Sequence, residues 1–451
     1  MKARNPTTGE QGKEYQEHTP DEAKQIVDDV HTAWQSWKTV PFAERATLMK
    51  KAAEVLRANK EQYAQLMTDE MGKLLGDGVA EVEKCAWVCE YYAENAEQFL
   101  ADELRETDAS KSYVSYQPIG IVLAVMPWNY PFWQVFRFAA PNIMGGNCGV
   151  LKHASNVPGC ALAIESVFKE AGFPKNVFRT LMIGARKVNA VLEHPHVRAA
   201  TLTGSTPAGK AVASKAGAVL KKTVLELGGS DPYIILEDAD IATAAATSAI
   251  SRLLNAGQAC ICAKRLIVVE SVKEQFTDAF VKAMHIPVGD PSDKNTRLGP
   301  MSRHDLRDEL HDQVERSIAA GAKILLGGEV PDNPGAFYPA TVLDNVQKGN
   351  PAYEEEFFGP VASIITVKDE AEAIAVANDS VFGLGAAVFS EDIGRAENVA
   401  RQIEAGAVFV NDFVKSDPRM PFGGVKESGY GRELSEEGIR EFMNAKTVVV
   451  R

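Results

Sequence analysis

From Ser112 to about Gly431, short apolar runs alternate with stretches of helical period, and this alternation restricts the possible folds more than any other feature. Tyr113-Val114-Ser115-Tyr116, Gly120 to Val125, Leu151, Thr201-Leu202 and Tyr233-Ile234-Ile235-Leu236 read as strands, and Pro158 to Ala171 and Pro207 to Ala216 as helices. A second series from Ala242 onward has strand candidates at Arg265 to Val269, Lys323 to Leu326, Ala362 to Val367, Ala386 to Phe389 and Ala407 to Val410. Strands separated by helices pair in parallel through crossovers, so the pattern predicts doubly wound α/β sheets. A chain of 451 residues outgrows one core, and two or three domains are expected.

The flanking segments read differently. Residues 18–105 are helical in pattern. Thr19-Pro20-Asp21-Glu22 supplies a cap, a proline at the first helical position and Glu three residues after the cap. Apolar residues then recur at helical spacing from Ile26 to Trp37 and from Ala43 to Met67. The tail Ala445 to Val450 reads as a late strand that belongs to neither series.

The stretch Asn255-Ala256-Gly257-Gln258-Ala259-Cys260-Ile261-Cys262-Ala263-Lys264-Arg265 sets a cysteine just after a Gly-Gln turn, with two cations close behind. Free backbone N–H groups and nearby positive charge favour the thiolate, which is the nucleophilic form. A small buried residue is the commoner fate of a cysteine, so the weight rests on what accompanies it. Glu226 stands in Leu225-Glu226-Leu227-Gly228-Gly229, and Asn129 in Pro127-Trp128-Asn129-Tyr130-Pro131. Alone, Glu226 reads as an exposed charge before a turn.

Together these segments resemble the aldehyde dehydrogenase superfamily. Further matches are Thr203-Gly204-Ser205, Glu355-Glu356-Phe357-Phe358-Gly359-Pro360 and Pro421-Phe422-Gly423-Gly424-Val425-Lys426-Glu427-Ser428-Gly429, in the family's order and over nearly the whole chain. The resemblance implies a dinucleotide-binding domain from residues 1–99 and 119–228 and a catalytic domain from residues 229–431. It further implies a small β oligomerisation element from residues 100–118 and 432–451, with the chain forming a dimer or tetramer. It implies Cys260 as nucleophile, Asn129 as oxyanion donor and Glu226 as the base that hydrolyses the thioester. It also implies a bound NADP or NAD, with Trp128, Lys152, Ser155, Gly204, Ser205, Glu356 and Phe358 in contact.

The residues themselves support parts of that cofactor reading. Gly204 to Lys210 has P-loop spacing, but Ala211 stands where a magnesium-binding Ser or Thr is needed. No Gly-x-Gly-x-x-Gly follows a strand. A helix opening after Ser205 would instead present bare N–H groups to a pyrophosphate, although a plain cap explains the same residues. Ser155 stands where many NAD-specific relatives carry glutamate; it would not repel a 2′-phosphate, and Lys152 could pair with one.

For the substrate, Trp133 and Arg137 are one helical turn apart after Asn129. A guanidinium suits a carboxylate, and the pattern is most similar to short bacterial family members that act on succinate semialdehyde. A second arginine found in some relatives is replaced by Leu254, so Ser416 and Arg419 are candidates for the missing contacts. An apolar tunnel of Phe132, Trp133 and Phe413 would instead suit an aliphatic or aromatic aldehyde. Cys260 and Cys262 could form a redox pair, or Cys262 could simply fill space.

Composition excludes several classes. A net charge of −13 argues against nucleic acid, and gives an anionic substrate need of a local cation. The longest apolar run near the middle, Ile119 to Met126, is too short for a membrane. Six scattered cysteines and a polar start fit a reducing cytoplasm. No cysteine or histidine spacing suits a metal.

Overall fold

The computed structural model describes residues 1–451. A doubly wound α/β architecture is built on two large sheets. The first has six strands in the order Gly429–Tyr430, Lys222–Glu226, Val197–Thr203, Ile121–Met126, Cys148–His153 and Phe178–Thr180. All neighbours are parallel except the short Gly429–Tyr430 strand, which runs antiparallel to Lys222–Glu226. The second has seven, in the order Lys323–Leu326, Thr341–Asp344, Val361–Val367, Arg265–Val269, Pro232–Ile235, Gly385–Phe389 and Ala407–Val410. A third sheet pairs Lys111–Pro118 with Glu103–Leu104 and with Met443–Val450.

The central strands are buried on both faces: no side chain from Ile121 to Ala124, or from Tyr233 to Ile235, is exposed. Such strands read as continuous apolar runs rather than alternating ones. The strands at Lys222–Glu226 and Thr341–Asp344 begin or end on polar residues, which hides them in the sequence.

At the N-terminus, Thr19 and Glu22 form the reciprocal cap foreseen for the helix Pro20–Trp37. The stretch expected as one helix from Ala43 to Met67 is two, Phe42–Ala58 and Lys60–Met71. The break falls at Asn59, whose side chain closes back on the Val55 carbonyl and competes with the helical pattern. No helix is long and apolar enough to cross a membrane.

One buried ion pair joins this helical layer to the active-site region. Glu81, on the helix Leu75–Phe99, is paired with Lys73 out of contact with solvent. Its other oxygen accepts the backbone N–H groups of Phe132 and Trp133 at 2.9 Å each. A carboxylate thus caps the start of the helix Trp133–Met144, where the helix dipole favours an anion. Glu81→Gln removes that charge and strands Lys73. The change should cost about 3 kcal/mol, read as a lowered urea midpoint at fixed protein concentration. An unchanged midpoint would refute the anchoring role.

Candidate active site

The C-terminal ends of the parallel strands in the first sheet collect the site, as the rule for open α/β sheets requires. Ile121–Met126 leads to Trp128 and Asn129, Cys148–His153 carries Lys152, Val197–Thr203 leads to Gly204 and Ser205, and Lys222–Glu226 ends on Glu226. The second sheet supplies the opposite wall from the segments that precede two of its strands: the cysteine turn before Arg265–Val269, and Glu356 and Phe358 before Val361–Val367.

Three consecutive residues in left-handed conformation, Asn255, Ala256 and Gly257 (φ 54°, 53° and 72°), shape the cysteine turn. Gly257 is obligatory: a Cβ there would lie 2.2 Å from the Gly359 carbonyl oxygen. The Asn129 amide donates to the Gln258 carbonyl at 3.0 Å, and the Asn255 amide donates to the Asn129 carbonyl at 2.9 Å. The Ser302 N–H donates to the Gln258 side chain at 2.8 Å. Asn129 and the cysteine turn are therefore clamped together.

Cys260 borders two cavities. One, of about 200 Å³, is lined by Trp133, Arg137, Lys84, Phe413 and Ser416 among others. The other, of about 290 Å³, is lined by Trp128, Asn129, Gly204, Ser205, Glu356 and Phe358. Trp128 and Phe358 meet edge to face at 5.9 Å there. Glu356 accepts from the Gly229 N–H at 3.1 Å and from Lys264 at 3.0 Å.

The second cavity fits a dinucleotide. Ser205 precedes the helix Thr206–Ala218 with no side-chain cap, leaving its first N–H groups open to an anion. Lys152 is buried without an acidic partner, and burial alone pulls its ammonium below the usual lysine range. Ser155 is exposed nearby. Lys210, the lysine of the P-loop-like spacing, points outward to Glu427.

Several placements differ from expectation. Lys264 does not face the thiol: its ammonium binds the Ala259 and Cys260 carbonyls at 2.9 and 2.8 Å. Arg265 turns away from the thiol, toward the Ser230, Val376 and Ala377 carbonyls. Burial accordingly pushes the Cys260 thiol up to about 12, against the pull of Lys264 and Arg137. Glu226 lies on neither cavity wall. Its carboxyl sits over Gly423, where a Cβ would come within 2.7 Å, and makes no hydrogen bond. Burial holds it well above the usual carboxylate range; Arg137 opposes that shift and Glu433 adds to it.

Arg137 does line the first cavity, but it is not a free cation. Its Nε is paired with Glu433, its Nη2 donates to Thr203 at 3.3 Å, and the guanidinium stacks on Phe422 at 4.7 Å. Arg419 is exposed and tied to Asp417, away from the cavity. Phe132 is wholly buried in the core, whereas Trp133 and Phe413 do line the wall. Cys262 is buried and donates to the Ala259 carbonyl at 3.0 Å. Sequence reasoning missed Glu433 and Lys84. Lys84 did carry a signal: with Asp77 and Glu81 it repeats at helical spacing on a helix whose other inward residues are apolar.

Comparison with known proteins shows the family. The model of the aldehyde dehydrogenase family matches residues 1–448. A probable NADP(+)-type succinate-semialdehyde dehydrogenase of Synechocystis is 51% identical over 98% of both chains. A succinate-semialdehyde dehydrogenase of the NADP(+) type from Mycobacterium tuberculosis is 48% identical, again over 98% of both. The solved succinic semialdehyde dehydrogenase of Streptococcus pyogenes, in complex with NADP+, superimposes with a TM-score of 0.98 at 39% identity, covering 100% of this chain and 99% of that one. The chain belongs to the aldehyde dehydrogenase family. It is an NAD(P)-dependent oxidoreductase that acts on aldehydes.

The height of the thiol has a measurable consequence. Thiolate is the alkylating form, so a thiol held near 12 gives a rate that climbs about tenfold per pH unit well below that value. Iodoacetamide modification of Cys260 without dinucleotide should still be rising at pH 10. A plateau reached by pH 8 would show that the resting thiol is already ionised.

Proposed function

We propose that this protein oxidises succinate semialdehyde to succinate, with NADP used at least as well as NAD. The position of Cys260 on the boundary of two cavities carries the reading: one thiol can hold the substrate carbon on one side and face a hydride acceptor on the other. The names of the Synechocystis, Mycobacterium and Streptococcus relatives support the substrate and the cofactor.

In this reading the aldehyde enters the cavity of Trp133, Arg137 and Ser416 and is attacked by the Cys260 thiolate. Asn129 spends one amide hydrogen on Gln258, and the other, with the Cys260 N–H, donates to the oxyanion. A nicotinamide dinucleotide bound in the second cavity would supply a hydride acceptor, so that the adduct on Cys260 could become a thioester. Trp128, Gly204, Ser205, Glu356 and Phe358, which line that cavity, would hold it, with Lys152 and Ser155 toward the adenosine end. Glu226 then activates water. Because its carboxyl makes no hydrogen bond at rest, rotating it toward the thioester breaks none.

The domain division proposed from the sequence places the cofactor in the first unit and the thiol in the second. The third sheet would serve as the oligomerisation element of a homo-oligomer, which the exposed Leu104, Val449 and Val450 support. Six cysteines scattered along a long chain, rather than spaced as a disulfide framework, favour a reducing cytoplasm.

Cys260→Ala should abolish aldehyde oxidation while dinucleotide binding persists, and Cys262→Ala should keep most activity. Loss of activity in the Cys262 variant instead would reassign the nucleophile. Wild-type kcat/KM should favour succinate semialdehyde over butanal.

On the cofactor side, a glutamate at position 155 would repel a 2′-phosphate. Ser155→Glu should move the ratio of kcat/KM for NADP and NAD toward NAD by at least tenfold. A wild-type preference for NAD above about a hundredfold, near 2.7 kcal/mol, would exclude the NADP reading.

A further inference from the structure

Lys84 projects from the helix Leu75–Phe99 into the wall of the cavity that Cys260 closes. Four cationic side chains line that cavity: Lys73, Lys84, Arg137 and Lys415. Lys73 is paired with Glu81, Arg137 with Glu433, and Lys415 with Asp412. Lys84 alone has no carboxylate within ion-pair distance. Its ammonium donates to the Ser416 hydroxyl at 2.9 Å and lies 4.4 Å from the centre of the Trp133 ring. Two of its three hydrogens have no protein acceptor.

Lys84 is half-buried, so its ammonium keeps only part of its hydration, and an anion in the cavity would supply the missing counter-charge. We propose that Lys84, fixed by Ser416 and Trp133, is the specificity-determining residue that takes the carboxylate at the far end of the substrate. The proposal rests on the succinate semialdehyde reading and names the group that enforces it. Arg137 offers only the Nη1 edge that Glu433 and Thr203 leave free, so it supports the anion without being the principal anchor. The aldehyde end meets Cys260 and the carboxylate end meets Lys84. A neutral aldehyde of the same length would leave the ammonium without its partner.

The titration of Lys84 agrees with this geometry. Burial is the largest influence and pulls its ammonium down to about 8; Arg137, on the neighbouring helix, acts in the same direction. Cys85 and Glu81 on its own helix, and Asp417 on the loop beside Ser416, oppose them. The cation is thus present below pH 8 and lost above it. An anionic substrate should lose affinity across that pH, and a neutral one should not.

The test compares kcat/KM for succinate semialdehyde and butanal in the NADP-loaded wild type, Lys84→Met and Lys84→Arg, with succinate as a dead-end inhibitor of butanal oxidation. Lys84→Met should lower the ratio of the two kcat/KM values by about ten- to a hundredfold, the usual effect of losing a charge-assisted bond. It should weaken succinate inhibition in parallel, and Lys84→Arg should recover part of both. In the wild type that ratio should fall from pH 7 to pH 9.5, and in Lys84→Arg it should hold. Equal losses for both aldehydes, undiminished succinate inhibition or a flat wild-type pH profile would each overturn the assignment. The profile needs no variant, so a misfolded Lys84→Met leaves the test intact. A wild type that prefers butanal refutes the substrate reading, while succinate inhibition still tests Lys84 as the anion anchor.

Discussion

The clamp around the cysteine turn is the constraint on which the rest of the active site depends. Three successive left-handed residues are unfavourable, and for Asn255 and Ala256 the side chains add to the cost. The turn persists because it is held from three sides. The Gly359 carbonyl packs on Gly257 too closely for any Cβ, Asn129 and Asn255 exchange hydrogen bonds with the turn and with each other, and Arg252 donates to the Gly257 carbonyl. These contacts come from both large sheets. The position of the thiol is therefore a property of the joint between the two large sheets, and each motif contributes a part of that joint.

The electrostatics follow from the same enclosure. Burial raises the Cys260 thiol and the Glu226 carboxyl together, and the thiol, near 12, rests protonated. A neutral thiol is protected from adventitious oxidation until it is activated. The Glu226 carboxyl is held near Glu433 with no hydrogen bond of its own, and the charge of Glu433 adds to its rise. Arg137 sits between these demands: it stabilises Glu433, opposes the rise of Glu226 and reaches the cavity with what remains. The negative field of the whole chain makes the local cations of the first cavity more consequential for an anionic substrate.

Much of the fold was legible because its strands are apolar runs bounded by turn residues and its first helix carries a reciprocal cap. Strands such as Lys222–Glu226 and Thr341–Asp344 were not legible, since a short strand with polar ends carries no periodicity. The division at Asn59 was likewise invisible, because a side chain closing on its own helix leaves the apolar spacing intact.

The sequence by itself determined the family, the alternation that forces parallel sheets, and the candidate thiol, amide and carboxyl, because motif spacing and period are local properties. Only the tertiary structure decided how charge is shared among them. That Lys264 serves carbonyls, that Arg265 leaves the site, that Arg137 is bound to Glu433 from a segment 296 residues later in the chain (433 − 137) and that Lys84 stands unpaired are all outcomes of long-range contact. Spacing can place a cation on a helix face. Which anion lies opposite, and how little water reaches the pair, is fixed only when distant segments close around it.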